Sequence, residues 1–330
     1  MQVLRRNIHV TDWSIVQVSR KASHMSRTSL AIALAALTAA SPFTAPVAAP
    51  VAERAAERGA VTPAALAKAC DGKDAWDAPA PPARIFGNTW YVGTCGISAI
   101  LVTGDKGHVL VDAGTTNAAP LVLANIRRAG FNPRDVHWIV ASHEHFDHVG
   151  ALAALQQATG AKVAALPAQK AALSSGKSSA EDPQFAGLDP IAPVRVDRVL
   201  KDGDTVTLGK LVLTAHATPV HAPGSTSWTW TSCAPGAGCR KIAYADSSST
   251  ISSDGYRFTD HPQRVAAIRK GLPVMSALPC DILLTPHPGQ SDLMERLAGQ
   301  KPLADSNACH AYAKAAEGRL SQRLAKESAK

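Results

Sequence analysis

The sequence lacks any apolar run long enough to cross a membrane. Its most apolar stretch, from Leu30 to Ala40, has 11 residues, whereas a membrane-spanning helix needs about 20. It also lacks a basic run with interleaved aromatic residues, the usual footprint of nucleic-acid binding. No two cysteines are spaced as Cys-x-x-Cys, which argues against a structural zinc ribbon. We therefore expect no stable membrane anchor and no nucleic-acid partner.

The apolar stretch is better explained as the h-region of a signal peptide, because Arg27 precedes it and small residues follow. Cleavage after Ala40 or Ala49 is plausible, and Met25 would give a leader of more usual length than Met1 does. We predict a leader at 1–49, a flexible alanine-rich lead-in at 50–69 and a single folded domain at 70–330.

The net charge of +8 overstates how basic the mature protein is. Residues 1–49 contain five basic residues and one acidic residue, a net charge of +4. Many other basic residues lie near the C-terminus, such as Lys314, Arg319, Arg323 and Lys326. A solvated face of a C-terminal helix explains them better than a nucleic-acid patch does.

Six cysteines behind a signal peptide imply disulfide bonds. Six cysteines allow about 15 connectivities, and the sequence alone does not choose among them. Local spacing favours Cys233 with Cys239, and order along the chain then suggests Cys70 with Cys95 and Cys280 with Cys309.

Strand-like and helix-like segments alternate in two β-rich halves, which favours two packed sheets with helices outside. The predicted strands are 88–92, 97–103, 108–112, 136–141, 162–165, 205–208, 211–217, 227–231, 241–245 and 280–284. The predicted helices are 118–129, 149–158, 261–272 and 306–328, and residues 171–193 are predicted to form a long surface loop.

The most informative segment is Ser142–Gly150, which reads Ser-His-Glu-His-Phe-Asp-His-Val-Gly. Side chains alternate along an extended chain, so His143 and His145 project to one side and can bind one metal ion. Asp147 and His148 follow the turn and can face a second ion. Imidazole and carboxylate are ligands that suit zinc, and we prefer a metal site to a solvated polar loop.

Two further histidines lie in turns directly after predicted strands. His221 is within Thr218-Pro219-Val220-His221-Ala222-Pro223-Gly224, and His287 is within Thr285-Pro286-His287-Pro288-Gly289. One such histidine would more often be structural. Two beside a four-residue cluster favour a shared metal centre.

This pattern, Ser-His-x-His-x-Asp-His followed by His221 and His287, resembles the metallo-β-lactamase superfamily over most of residues 85–330. Segments such as Gly87–Gly93, Pro223–Trp228, Tyr244–Ser247 and Leu278–Leu283 resemble class B β-lactamases of subclass 3. The absence of a cysteine near Ser247 agrees with that subclass. The resemblance implies an α/β fold, the four-layer αβ/βα sandwich with two mixed sheets.

The resemblance also implies two zinc ions and a periplasmic location, and we expect a monomer. One zinc would be held by His143, His145 and His221, and the other by Asp147, His148 and His287. Ser247, Ser249 and, in the long loop, Gln184 would contact the substrate. Glu144 is expected to point away from the metals. The family usually has Gly and Thr where this chain has Val220 and Ala222, so altered support of His221 is expected.

The implied activity is hydrolysis of penicillins, cephalosporins and carbapenems by a metal-bridging hydroxide, with Asp147 also accepting a hydrogen bond from that hydroxide. Such an enzyme confers antibiotic resistance. The alternative is another hydrolase of the same fold, a lactonase or a thioesterase of the glyoxalase II type. In those relatives an aspartate near the position of Asp246 bridges both metals.

Overall fold

Two mixed β-sheets lie at the centre of residues 59–329, the part of the chain that the computed structural model describes. The predicted leader at 1–49 lies outside these residues. One sheet has the order β1-β2-β3-β4-β5-β6-β7 and the other β12-β11-β10-β9-β8. The strands are β1 Ala83–Phe86, β2 Thr89–Tyr91, β3 Ile100–Gly104, β4 Gly107–Val111, β5 Val136–Val140, β6 Lys162–Ala165, β7 Arg198–Val199, β8 Thr205–Leu208, β9 Leu211–Ala217, β10 Thr226–Ala234, β11 Gly238–Tyr244 and β12 Ile282–Leu284.

Pairing in the first sheet is antiparallel from β1 to β4 and parallel from β4 to β7. In the second sheet only β11 and β12 are parallel. Because the carboxyl ends of parallel neighbours meet at one edge of a sheet, the loops after β4 and β5 lie side by side, as do those after β11 and β12.

The described residues also contain eight α-helices. They are α1 Pro63–Ala69, α2 Ala119–Arg128, α3 Phe146–Val149, α4 Leu152–Thr159, α5 Pro167–Ser175, α6 Pro262–Ser276, α7 Leu293–Leu297 and α8 Ala308–Ser328. One apolar cluster joins the facing sides of the two sheets, with Val111 and Trp228 among its members. A second packs α2 and α4 on the first sheet, and a third packs α6 and α8 on the other. The predicted helix–sheet–sheet–helix arrangement is confirmed.

Several segments differ from the sequence-based prediction, which does not contain strands β1 and β7 or helix α7. The lead-in at 50–69 contains helix α1, in which Thr62 accepts a hydrogen bond from the amide of Ala65 and Leu66 is fully buried. A threonine cap followed by Pro63 is a helix-start signal, and it outweighs the alanine-rich composition here. The predicted loop at 171–193 begins inside α5, which ends only at Gly176 in the left-handed conformation.

Three disulfides join the cysteines in the order that the sequence suggests, Cys70–Cys95, Cys233–Cys239 and Cys280–Cys309. The Cys233–Cys239 bond bridges directly paired positions of β10 and β11. Within the described range, no helix is both long and apolar enough to span a bilayer.

Candidate metal centre

The histidine-rich segment begins where β5 ends. His143 and His145 lie on the irregular segment that follows the strand, and His145 directly precedes helix α3. Asp147 and His148 lie within α3 and not on a loop. The helix therefore begins earlier than the sequence predicts. The change from extended backbone at His145 to helix at Phe146 separates the two pairs of side chains.

Three imidazoles form the first group of candidate ligands. His143, His145 and His221 are all buried, and each offers one nitrogen within 4.8 Å of the other two. The ring centroids are 4.5 to 4.9 Å apart. His221 reaches the group from the turn between β9 and β10, in the opposite sheet.

A carboxylate between two imidazoles forms the second group. The Nε2 atom of His148 lies 3.0 Å from Oδ2 of Asp147 and 3.2 Å from Nε2 of His287. The Nε2 atom of His287 is 3.3 Å from the same carboxylate oxygen. A ring-centroid distance of 4.3 Å between His143 and His148 places the two groups next to each other. The structure thus brings together all six side chains that the sequence predicts as ligands.

Two buried carboxylates lie within hydrogen-bond distance of the imidazoles of His143 and His145. Oδ1 of Asp246 lies 2.7 Å from Nδ1 of His143, and Oδ2 of Asp182 lies 2.8 Å from Nε2 of His145. Metal-binding histidines commonly donate their second N–H to a carboxylate, which fixes the tautomer and the ring orientation. Each contact therefore leaves the other ring nitrogen available to an ion.

Asp112, directly after β4, is a third buried carboxylate and lies next to His148. Its carboxylate accepts hydrogen bonds from the backbone and side chain of Ser142 and from Tyr244, and lies 3.5 Å from Nδ1 of His148. Its φ of 63° is in the left-handed region. A non-glycine residue held there stores strain that the surrounding contacts must outweigh, as is common at functional sites.

The electrostatics of the centre favour a cation in the second group. Burial would lower the pKa of His148, but Asp147 and Asp112 outweigh it and raise that pKa to about 10. Burial opposes ionisation of Asp147, yet His148 and His287 hold its pKa far below the usual range. The carboxylates of Asp147 and Asp112 thus favour positive charge at His148.

In the first group, burial favours neutral imidazoles. Burial lowers the pKa of His143, and burial together with the nearby imidazoles lowers that of His221 to about 3. Both rings are therefore neutral at pH 7, the form that binds metals. The buried Nε2 of His143 has no hydrogen-bond partner among residues 59–329. An unpartnered buried nitrogen beside two further imidazoles fits a metal ion, and the nitrogen and oxygen donors suit zinc.

The residues predicted to contact substrate lie at different depths. Ser249 is half-buried, and its hydroxyl lies 2.9 Å from Nδ1 of His221. Ser247 is completely buried, and its hydroxyl has no partner among the described residues. The side-chain amide of Gln184 lies 3.3 Å from Nε2 of His221. Gln184 thus contacts the nitrogen of His221 that faces the other two imidazoles of the first group.

Glu144 points away from the ligand groups, in agreement with the expectation. Its carboxylate is buried and accepts a hydrogen bond of 2.9 Å from the amide of Gly224, in the turn that carries His221. A Cβ atom at Gly224 would lie 2.4 Å from Oε2 of Glu144. Glycine at 224 therefore permits the close approach, and Glu144 links the turn to the segment that carries His143 and His145.

Val220 does not carry the backbone strain that the loss of a family glycine could cause. The described non-glycine residues with positive φ are Asp112 and Asp292, so Val220 adopts an ordinary conformation. Val220 and Ala222 are both buried, and Val220 packs in the cluster between α6 and its sheet.

Two supporting residues are not predicted from the sequence, Asp182 and Asp112. Asp182 lies in an irregular loop, where no periodic pattern predicts its direction. Asp112 ends a predicted strand, and the following Ala-Gly is the signal that could have identified it. Trp76 also lies next to the centre, with its ring centroid 5.8 Å from those of Phe146 and His287.

The chain is similar in sequence and fold to known proteins. Residues 92–233 match the family model of the metallo-β-lactamase superfamily. The chain is similar to the metallo-β-lactamase MIM-1 from Novosphingobium pentaromativorans, with 58% identity, a TM-score of 0.79, and coverage of 80% of this chain and 98% of that one. MEM-A1, a subclass B3 metallo-β-lactamase from a soil metagenome library, is 39% identical with a TM-score of 0.74, and the match covers 77% of this chain and 99% of MEM-A1.

A curated protein shares a shorter segment. A hydroxyacylglutathione hydrolase from Anaeromyxobacter dehalogenans is 35% identical over 121 residues, which are 37% of each chain. This chain therefore matches well under half the length of that relative, and the match is confined to a part of both proteins.

Proposed function

The chain belongs to the metallo-β-lactamase superfamily, and we propose that it hydrolyses the amide bond of β-lactam antibiotics with two zinc ions. The observation that carries this proposal is the similarity to solved metallo-β-lactamases along nearly their whole length. The two adjacent ligand groups supply the site that the reaction needs.

The six side chains divide into two ligand sets. His143, His145 and His221 would hold one zinc ion, and Asp147, His148 and His287 would hold the other. Zinc supplies Lewis-acid chemistry, since it lowers the pKa of a coordinated water from about 15.7 toward 7 and polarises a carbonyl oxygen.

The chain's own groups orient and position the reactants. Oδ2 of Asp147 lies between two imidazoles, and its Oδ1 would accept a hydrogen bond from the attacking water. Ser249, half-buried beside His221, would donate to the carboxylate of the substrate. Asp246 and Asp182 keep His143 and His145 in the orientations that the ligand set needs. We also propose a periplasmic, monomeric enzyme that acts on penicillins, cephalosporins and carbapenems.

The principal alternative is a thioesterase or lactonase on the same fold, to which the hydroxyacylglutathione hydrolase match gives some weight. The orientation of Asp246 favours the β-lactamase, because its Oδ1 is within hydrogen-bond distance of Nδ1 of His143. The two functions are separated by an assay of the zinc-loaded protein with a carbapenem, a lactone and a glutathione thioester in parallel. Faster turnover of the thioester or lactone than of every β-lactam tested would overturn the proposal.

A further inference from the structure

Only some of the backbone hydrogen bonds of the turn that carries His221 are made within the turn itself. Internal hydrogen bonds of 3.0 Å and 2.9 Å join the amide of Thr218 to the carbonyl of Ser225, and the amide of Ala222 to the hydroxyl of Ser225. The carbonyls of Pro219 and Val220, directly before the histidine, instead accept hydrogen bonds from outside the turn.

Their donor is Arg264 of helix α6. Its Nη1 lies 2.7 Å from the carbonyl oxygen of Pro219 and its Nη2 lies 2.9 Å from that of Val220. The side chain is only 8% exposed, and no carboxylate within residues 59–329 forms an ion pair with it. Burial of an unpaired guanidinium is costly, and charge-assisted hydrogen bonds to two carbonyls offset that cost only in part. The contact therefore fixes the position of the two carbonyls with little net gain in stability.

A second contact fixes the distance between α6 and the turn. A Cβ atom at Gly271, two helical turns after Arg264, would lie 3.1 Å from Cγ2 of Val220 and from Cδ and N of Pro219. Glycine on this helix face therefore accommodates the valine that precedes His221. Arg264 holds the carbonyls of the turn while Gly271 sets how closely it can approach the helix.

We propose that Arg264 is a positioning residue for the metal centre: from α6 it fixes the turn that carries His221, and thereby sets where the third imidazole meets the ion. The inference rests on the proposed three-histidine metal site. Its readout is metal affinity, so a protein that binds zinc but leaves β-lactams intact would contradict the proposed function and leave this test intact.

The test is the zinc affinity of Arg264→Met, measured by competition with a chromophoric chelator under conditions in which near-ultraviolet circular dichroism shows native packing. Changes around metal-ligating histidines commonly weaken binding 10- to 100-fold, and we expect a loss of about 10-fold. Cadmium NMR assigns the loss to the ion bound by three nitrogen ligands.

The matched control is Arg296→Met. Arg296 is equally buried and also donates to backbone carbonyls away from the His221 turn, those of Leu283, Ser291, Pro302 and Leu303. It should lose comparable thermal stability while the three-histidine ion keeps its affinity. An Arg264→Met protein with native packing and zinc affinity within about twofold of the parent overturns the proposal, as does an equal loss at the three-histidine ion in both variants.

A second variant decides the matter if Arg264→Met does not fold. Gly271→Ala places a methyl group against Val220 and Pro219, while alanine is the better helix former, so α6 itself is not weakened. We expect a several-fold weaker three-histidine site in a protein whose melting temperature is unchanged or higher. Unchanged affinity in this variant overturns the proposal.

Discussion

Asp246 lies behind His143, with its Oδ1 atom 2.7 Å from the Nδ1 of the imidazole and both side chains fully buried. An imidazole held in this way binds a metal through Nε2, and Asp246 orients the ligand. We expect Asp246→Ala to weaken zinc binding by about 10- to 100-fold. Asp246→Asn keeps an oxygen acceptor and should retain more of the affinity. Equal affinities of the parent and Asp246→Ala in a chelator competition would contradict this role.

The loop after α5 is joined to the metal centre through Asp182. This carboxylate lies 2.8 Å from Nε2 of His145 and also accepts a hydrogen bond of 2.8 Å from the amide of Gln184. Asp182→Ala should therefore weaken zinc binding about 10-fold and free the loop. Asp189, an exposed carboxylate on the same loop, is the control position. Hydrogen exchange should show faster exchange at Gln184 in Asp182→Ala and parental rates in Asp189→Ala. Similar rates in both variants would argue against the contact.

Metal binding to the second group should release a proton. The pKa of His148 is raised from 6.5 to about 10, so its contribution to the stability of the metal-free protein is full below about pH 6.5 and is lost as the pH rises through about 10. Between these values an ion at Asp147, His148 and His287 must displace that proton, and its affinity should rise up to about tenfold per pH unit. Calorimetry in buffers of different ionisation enthalpy measures the release. Absence of proton release at pH 8 would refute this expectation.

The three disulfides should contribute unequally to stability. The Cys280–Cys309 bond closes a separation of 29 residues, and Cys233–Cys239 closes only 6. Chain-entropy arguments give about 4 kcal/mol for the longer loop and about 2 kcal/mol for the shorter one. Paired Cys→Ser variants in a denaturant titration should therefore lose more free energy of unfolding at Cys280 and Cys309. A larger loss at the short β10–β11 loop would contradict the entropic explanation.

The sequence predicts the ligands because their signals are local. The alternation of His143 and His145 and the strand-end turns around His221 and His287 can be read without tertiary information. The supporting contacts are not predictable in this way. Asp182 lies on an irregular loop 37 residues from His145, and Arg264 looks like any helical arginine until α6 packs on the second sheet.

Val220 is a position where the sequence predicts backbone strain that the structure does not show. Its sequence context predicts strain, because the family usually has glycine there. The structure shows an ordinary backbone and a buried side chain, with Gly271 providing the space on the facing helix. Compensation between positions 51 residues apart depends on how the helix packs, and a single sequence does not reveal it.

The two ligand groups should together support zinc-dependent hydrolysis of β-lactams. The most direct measurement follows the ultraviolet absorbance of a carbapenem and a cephalosporin with purified mature protein, after chelation and after zinc is returned, with Asp147→Ala as a folded control. We predict that absorbance loss stops on chelation, returns with zinc, and is largely missing in Asp147→Ala. Intact β-lactams in the presence of folded, zinc-loaded parent protein would contradict the claim, as would hydrolysis that survives chelation.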